Sequence, residues 1–236
     1  MAKRKRSSQS DRCSVLAAVQ SDWETFKDAP ENFRGDREIV LAAVKQNGCA
    51  IEFAAETCRG DRELVLAAVK EPLQDRNGCT YGYALEHVAE SCRGDREIVL
   101  AAVQNAGLTL KHTAESCRND REIVMAAVKH RGFALQYAAE SCRGDREVVL
   151  AAVQQTGFAL QDAAESCRGD RKVVLTAVQQ TGYALQDAAE SCRGDRETIV
   201  LTAVQNARKG SESSVLEWAS VELLEDSSFA VEAKTT

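Results

Sequence analysis

Asp145-Arg146-Glu147-Val148-Val149-Leu150-Ala151-Ala152-Val153-Gln154-Gln155-Thr156-Gly157-Phe158-Ala159-Leu160-Gln161-Asp162-Ala163-Ala164-Glu165-Ser166-Cys167-Arg168-Gly169 is one copy of a 25-residue unit. The opening Asp-Arg pair recurs at Asp11, Asp36, Asp61, Asp95, Asp120, Asp170 and Asp195, at steps of 25 residues with one step of 34. A fixed period of this length is the signature of a stacked repeat architecture. Positions are counted below from the aspartate as position 1.

The first half of the unit reads as a helix. Asp145 is a good N-cap, its carboxylate suited to the free N–H groups and to the positive end of the helix dipole. Val148 to Val153 are apolar all round, which is the pattern of a helix buried on every side. Gly157 is expected to stop this helix in the left-handed conformation, with Phe158 making the hydrophobic contact of that stop. In the second half, Leu160, Ala163, Ala164 and Cys167 form an i, i+3, i+4, i+7 stripe. That stripe predicts a second, amphipathic helix, ended by Gly169 or by Asn119 in another copy, the residues that best tolerate positive φ. Two helices per 25 residues leave almost no loop. The fold class expected is therefore all-α, an α-solenoid of about eight two-helix repeats.

Departures from the unit mark the ends and one interruption. Residues 1–10 carry Lys3-Arg4-Lys5-Arg6 and read as a disordered basic tail. One repeat domain then covers 11–233, with 234–236 as a tail. The first copy has Trp23 in place of glycine and Pro30 inside its second helix, as a terminal cap would. A nine-residue insertion falls within 71–81, and Pro72 with Asn77-Gly78 marks it as an exposed loop. The eighth copy gains Thr198 and is followed by a polar linker at 208–214.

Composition narrows the function classes. The apolar share of 44% and charged share of 28% suit a folded domain, and only Pro30 and Pro72 interrupt helix formation. A net charge of −6 disfavours nucleic acid as a general partner, although Lys3 to Arg6 resemble a nuclear import signal. No apolar run approaches a membrane span or a secretory signal, so a soluble, intracellular, cytoplasmic protein is expected, with the nucleus as an alternative. Cys58, Cys92, Cys117, Cys142, Cys167 and Cys192 share position 23. Equivalent positions in neighbouring helical repeats lie about 10 Å apart, beyond the roughly 7 Å reach of a disulfide, so these are expected to be free thiols in the core.

The strings Asp145 to Val153 and Gly157-Phe158-Ala159-Leu160 resemble the family called domain of unknown function 4116, which consists of short tandem helical units. The resemblance runs from Asp11 to Ala233 and departs at Pro30, at the insertion and at the linker. It implies the repeat architecture. Because the family has no established activity, it carries no catalytic, cofactor or ligand residue to this chain.

Position 18 varies while its neighbours repeat. It holds Asp28, Phe53, His87, His112, Tyr137, Asp162, Asp187 and Trp218, and was placed by the helical reading on a solvent-facing side of the second helix. Such a column can read an extended partner, or it can be drift. His87 and His112 lie too far apart at ordinary repeat spacing for one zinc. Cys79 and Tyr81, in the insertion, form a candidate binding loop. The Asp, Arg and Glu columns read as helix caps and salt bridges between repeats. With no catalytic constellation, metal or cofactor indicated, the expectation is a non-catalytic, monomeric scaffold for a protein or peptide. The alternative is a nucleic-acid-associated protein using its arginine columns and basic start.

Overall fold

From Asp36 to Asp170, the aspartate that opens the repeat caps a helix. Asp145 has an extended backbone (φ −76°, ψ 113°), and its carboxylate accepts hydrogen bonds from the backbone N–H of Glu147 and Val148 at 2.9 and 3.1 Å. Such a cap is worth about 0.5–2 kcal/mol. The helix it starts, Arg146–Gln155, buries Val148, Val149, Ala152 and Val153, with Leu150 and Ala151 half-buried. The same cap recurs at Asp36, Asp61, Asp95, Asp120 and Asp170.

These elements come from a computed structural model that describes residues 2–70 and 83–207, with Val215, Glu217 and Ala219. All regular elements among the described residues are helical. The chain divides into two compact units, Met1–Cys117 and Arg118–Thr236. In the first, Ala2–Ser21, Arg37–Val44, Arg62–Lys70 and Arg96–Asn105 pack in sequence order. In the second, Arg121–His130, Arg146–Gln155, Arg171–Gln180 and Leu201–Gln205 do the same. Each unit is a stack of helical repeats.

The second half of the repeat is not the continuous amphipathic helix that the stripe predicts. Gly157–Asp162 is a 3₁₀ helix, Ala163 and Ala164 are extended, and Glu165–Arg168 is a single α-turn. The break has a purpose in the stack. The Ala164 N–H leaves its own repeat and donates to the Arg143 carbonyl of the preceding one at 2.9 Å. Ala55, Ala89, Ala114, Ala139 and Ala189 make the equivalent bond, at 2.9–3.0 Å. A continuous helix would consume that N–H internally. The apolar residues still converge: Ala159, Leu160, Ala163 and Cys167 are buried. Full burial of a leucine such as Leu160 contributes about 1.5–3 kcal/mol.

Gly132, Gly157 and Gly182 of one column and Gly35, Gly60, Gly94, Gly144 and Gly169 of the other do not adopt positive φ. Gly169 is right-handed (φ −96°, ψ −5°), which explains why Asn119 stands in the same column without strain. Gly157 opens the 3₁₀ helix after an extended Thr156, and a Cβ on it would lie 2.4 Å from the Ala177 carbonyl oxygen of the next repeat. It is glycine because two backbones meet there.

The ends adjust the unit locally. The helix Ala2–Ser21 takes in the basic stretch, so Asp11 lies inside it rather than capping it. Asp22 caps the next turn instead, accepting from the Glu24 N–H at 2.9 Å. Pro30 stands just ahead of the short helix Glu31–Arg34, not within it. The extra residue Thr198 is absorbed by a π-turn over Arg196–Val200, in which the Val200 N–H reaches Asp195 at 3.0 Å. The insertion, the polar linker and Trp218 lie outside the described residues.

Candidate partner-binding surface

The 3₁₀ segment sets the direction of every side chain that could meet a partner. With it, Phe53, His87, His112, Tyr137, Asp162 and Asp187 of position 18 are half-buried instead of solvent-facing. In the first unit Phe53, His87 and His112 meet position 17 of the repeat before them. Lys27 Nζ stands 5.7 Å from the centre of the Phe53 ring and 4.6 Å from that of Trp23. His87 Nε2 is 3.9 Å from a Glu52 carboxylate oxygen, and His112 Nε2 is 3.7 Å from Glu86. In the first unit position 18 is thus an inter-repeat contact. Cys79, Tyr81 and Trp218, the other candidates, lie outside the described residues.

Burial governs the ionisation of this column. It lowers the pKa of His112, helped by Lys111, and raises those of Asp162 and Asp187 against the pull of Arg143 and Arg168. One carboxylate oxygen of each aspartate is buried without a hydrogen bond among the described residues. The position 1 aspartates behave oppositely. Arg121 and Arg146 of the preceding repeats hydrogen-bond Asp145 and Asp170, each at 2.7 Å, and hold both carboxyls below the usual range. Arg121 also pairs with Glu147, and Arg37 and Arg62 reach Glu63 and Glu97 in the same way. These ion pairs use the arginines of position 2 for stacking.

The cysteine column is part of the same stacking. Cys167 Sγ donates to the Gly144 carbonyl of the preceding repeat at 3.4 Å, and Cys192 to Gly169 at 3.4 Å. Burial pushes both thiols up, and the described cysteines are free. No group of three or more His, Cys, Asp or Glu among the described residues could hold a metal ion.

Position 14 carries the surface that the sequence reading passed over. Phe133 and Phe158 are each 40% exposed in successive repeats of the second unit, with Tyr183 half-buried in the next. They were expected to fold back on a helix stop. With that helix ended by an extended residue instead, their rings stand on the surface. A groove of about 620 Å³ lies between Phe158 and Tyr183, lined also by Gln180, Thr181, Gln186 and Asn206. Positions 10 to 17 of the three repeats, residues 129–136, 154–161 and 179–186, contain no carboxylate. Their charged groups are Lys129 and Arg131, both exposed and without an ion pair among the described residues, and His130 when protonated. In the first unit Leu108 occupies the same position and is 42% exposed. In the repeats that open at Asp120, Asp145 and Asp170, an aromatic residue standing between a glycine and a buried Ala-Leu pair was the signal available in the sequence.

The family model described as "Domain of unknown function (DUF4116)" matches residues 11–59, 36–87, 61–118, 95–143, 120–168 and 170–224. The chain belongs to this family. Its overlapping matches step along the chain with the repeats, as the resemblance of the Asp145 to Leu160 strings implied. Neither the curated proteins nor the solved structures gave a match. No helix among the described residues is long and apolar enough to cross a membrane.

Proposed function

We propose that this DUF4116 chain is a non-catalytic scaffold that binds an extended peptide segment of a protein partner along the position 14 face of its second unit. The observation that carries the reading is the row Phe133, Phe158 and Tyr183, borne on segments of sequence that contain no carboxylate. Interface cores are enriched in aromatics and depleted of acidic groups, and repeat stacks present the same side chain at regular intervals to an elongated ligand. The charged columns at positions 1 to 3 are already occupied in holding repeats together.

Panning a displayed random peptide library on the chain and, in parallel, on a Phe133→Ala/Phe158→Ala variant tests the reading. Both rings are substantially exposed, so the variant is expected to retain its circular dichroism. Peptides enriched by the wild type and lost on the variant support it. Equal enrichment on both, or none on either, removes it. Tight, steeply salt-dependent capture of an oligonucleotide would transfer the face to the nucleic-acid alternative.

A further inference from the structure

The regularity of the aromatic row constrains the conformation of what lies on it. Helices Arg121–His130, Arg146–Gln155 and Arg171–Gln180 pack in succession, and so do the 3₁₀ helices that carry Phe133, Phe158 and Tyr183. Packed helices lie about 8–10 Å apart. A ligand spanning two repeats must therefore present an apolar group about every 8–10 Å. A β-strand advances about 3.3 Å per residue and turns alternate side chains to opposite faces, so residue i+3, about 10 Å along, points away. A polyproline II helix has three residues per turn and rises about 3.1 Å per residue. Its side chains at i, i+3 and i+6 fall on one face at about 9.3 Å intervals.

The groups between the rings decide against an α-helical ligand. Gln180 and Gln186 line the groove between Phe158 and Tyr183, and Gln155 and Gln161 occupy the equivalent positions one repeat earlier. Carboxamides offer donors and acceptors. The backbone of an α-helix is bonded internally, whereas that of polyproline II is free to bond. Lys129 and Arg131, exposed and without an ion pair among the described residues, stand beside Phe133 at one end of the row, with no carboxylate among the three segments to balance them. They call for acidic groups at the corresponding end of the ligand.

Resting on the peptide-binding reading above, we infer that the occupant is a polyproline II segment with proline or another apolar residue at every third position and carboxylates at one end. Its i, i+3 and i+6 side chains sit against Phe133, Phe158 and Tyr183, the glutamines donate to its carbonyls, and Lys129 and Arg131 meet its acidic end. Proline suits each apolar site because its fixed φ removes conformational freedom before binding.

Fluorescence anisotropy of the full chain with labelled synthetic peptides tests this. The probes carry Pro-x-x three times with two aspartates at the N-terminus or at the C-terminus. The control has the same composition with its prolines scrambled. One of the two probes is expected to bind at least tenfold more tightly than the control. That binding should weaken at least tenfold in Phe158→Ala and become insensitive to salt in Lys129→Gln/Arg131→Gln. Equal binding of probe and control, no effect of Phe158→Ala, or no binding of either probe overturns the inference. Its failure is separable from that of the peptide-binding reading. A library that still enriches on the wild type and not on the double variant, with apolar residues at alternate positions, would keep the face and refute the polyproline II ligand.

Discussion

Two glycines of one repeat should respond to alanine with opposite signs. Gly157 faces the next repeat: an added Cβ would lie 2.4 Å from the Ala177 carbonyl oxygen and 2.8 Å from Thr181 Cγ2. Carbon and oxygen approach to about 3.3 Å at closest, so the two repeats must separate by roughly 1 Å. The obstacle is helical backbone, because Ala177 O already accepts from the Thr181 N–H at 3.0 Å. Overpacking of this kind costs about 1–3 kcal/mol, offset in part by about 0.4–1 kcal/mol from a less flexible unfolded chain. Gly169 is different. Its backbone is right-handed, and its added Cβ would meet Glu165 O at 3.6 Å and Ala189 Cβ at 3.7 Å, both ordinary contacts. Gly169→Ala is therefore expected to stabilise by about 0.4–1 kcal/mol, and Gly157→Ala to destabilise by about 1–2 kcal/mol. Urea titration followed by circular dichroism measures both, with native-state hydrogen exchange showing whether the loss is confined to the repeats on either side. Asparagine sharpens the comparison. A left-handed helix stop at Gly157 would tolerate Asn nearly as well as Gly, whereas a close backbone approach predicts that Asn costs at least as much as Ala. A neutral Gly157→Asn, or a destabilising Gly169→Ala, would refute the reasoning.

Four further outcomes follow from the stacking contacts. Asp145 and Asp170 are held below the usual carboxylate range, so the stability they add is present at neutral pH and lost as pH falls below about 4; thermal melts between pH 7 and 2.5 should drop less in a combined Asp145→Asn/Asp170→Asn variant. Asp162 and Asp187 are raised by burial, so their charged forms oppose folding: Asp162→Asn/Asp187→Asn should raise the melting temperature at pH 7 and lose that advantage below about pH 4. Arg146→Ala removes a half-exposed pair with Asp170 and should shift the midpoint of the same urea titration far less than Gly157→Ala does. Thiol labelling mapped by mass spectrometry should find Cys13, which is exposed, reacting in the folded protein, while Cys142, Cys167 and Cys192 react only as fast as the stack opens.

The first helix of the repeat was legible because its signals are side chains acting locally. The Asp145 carboxylate caps the next N–H groups whatever else the chain does, and the run Val148 to Val153 has no polar face to expose. The second half was misread because its stripe is ambiguous. Leu160 to Ala163 and Ala164 to Cys167 are both steps of three, compatible with one α-helix or with a 3₁₀ turn, a break and a single α-turn. What separates these possibilities is the bond from the Ala164 N–H to Arg143 O, a backbone contact between repeats that leaves no mark on residue type beyond a small side chain. The glycines were ambiguous for the same reason. Positive φ and close approach both select glycine, and only the neighbouring repeat distinguishes them.

That one misreading also moved the candidate site. With a continuous helix, position 18 would face solvent and position 14 would fold against the helix stop, so variability pointed to Phe53, His87, His112 and their equivalents. Once the segment is 3₁₀ and the helix before it ends in an extended residue, position 18 turns inward to position 17 of its neighbour and position 14 turns out. In the first unit this column contacts the repeat before it: Lys27 lies over the Phe53 ring, while Glu52 and Glu86 come within 3.9 and 3.7 Å of His87 and His112. Position 14 also differs along the chain, with Glu24, Cys49 and Leu108 in other copies, but it is aromatic in three successive repeats, at Phe133, Phe158 and Tyr183, with the first two rings each 40% exposed. On a repeat stack, an aromatic kept on the surface through successive repeats is where a regular ligand would leave its period.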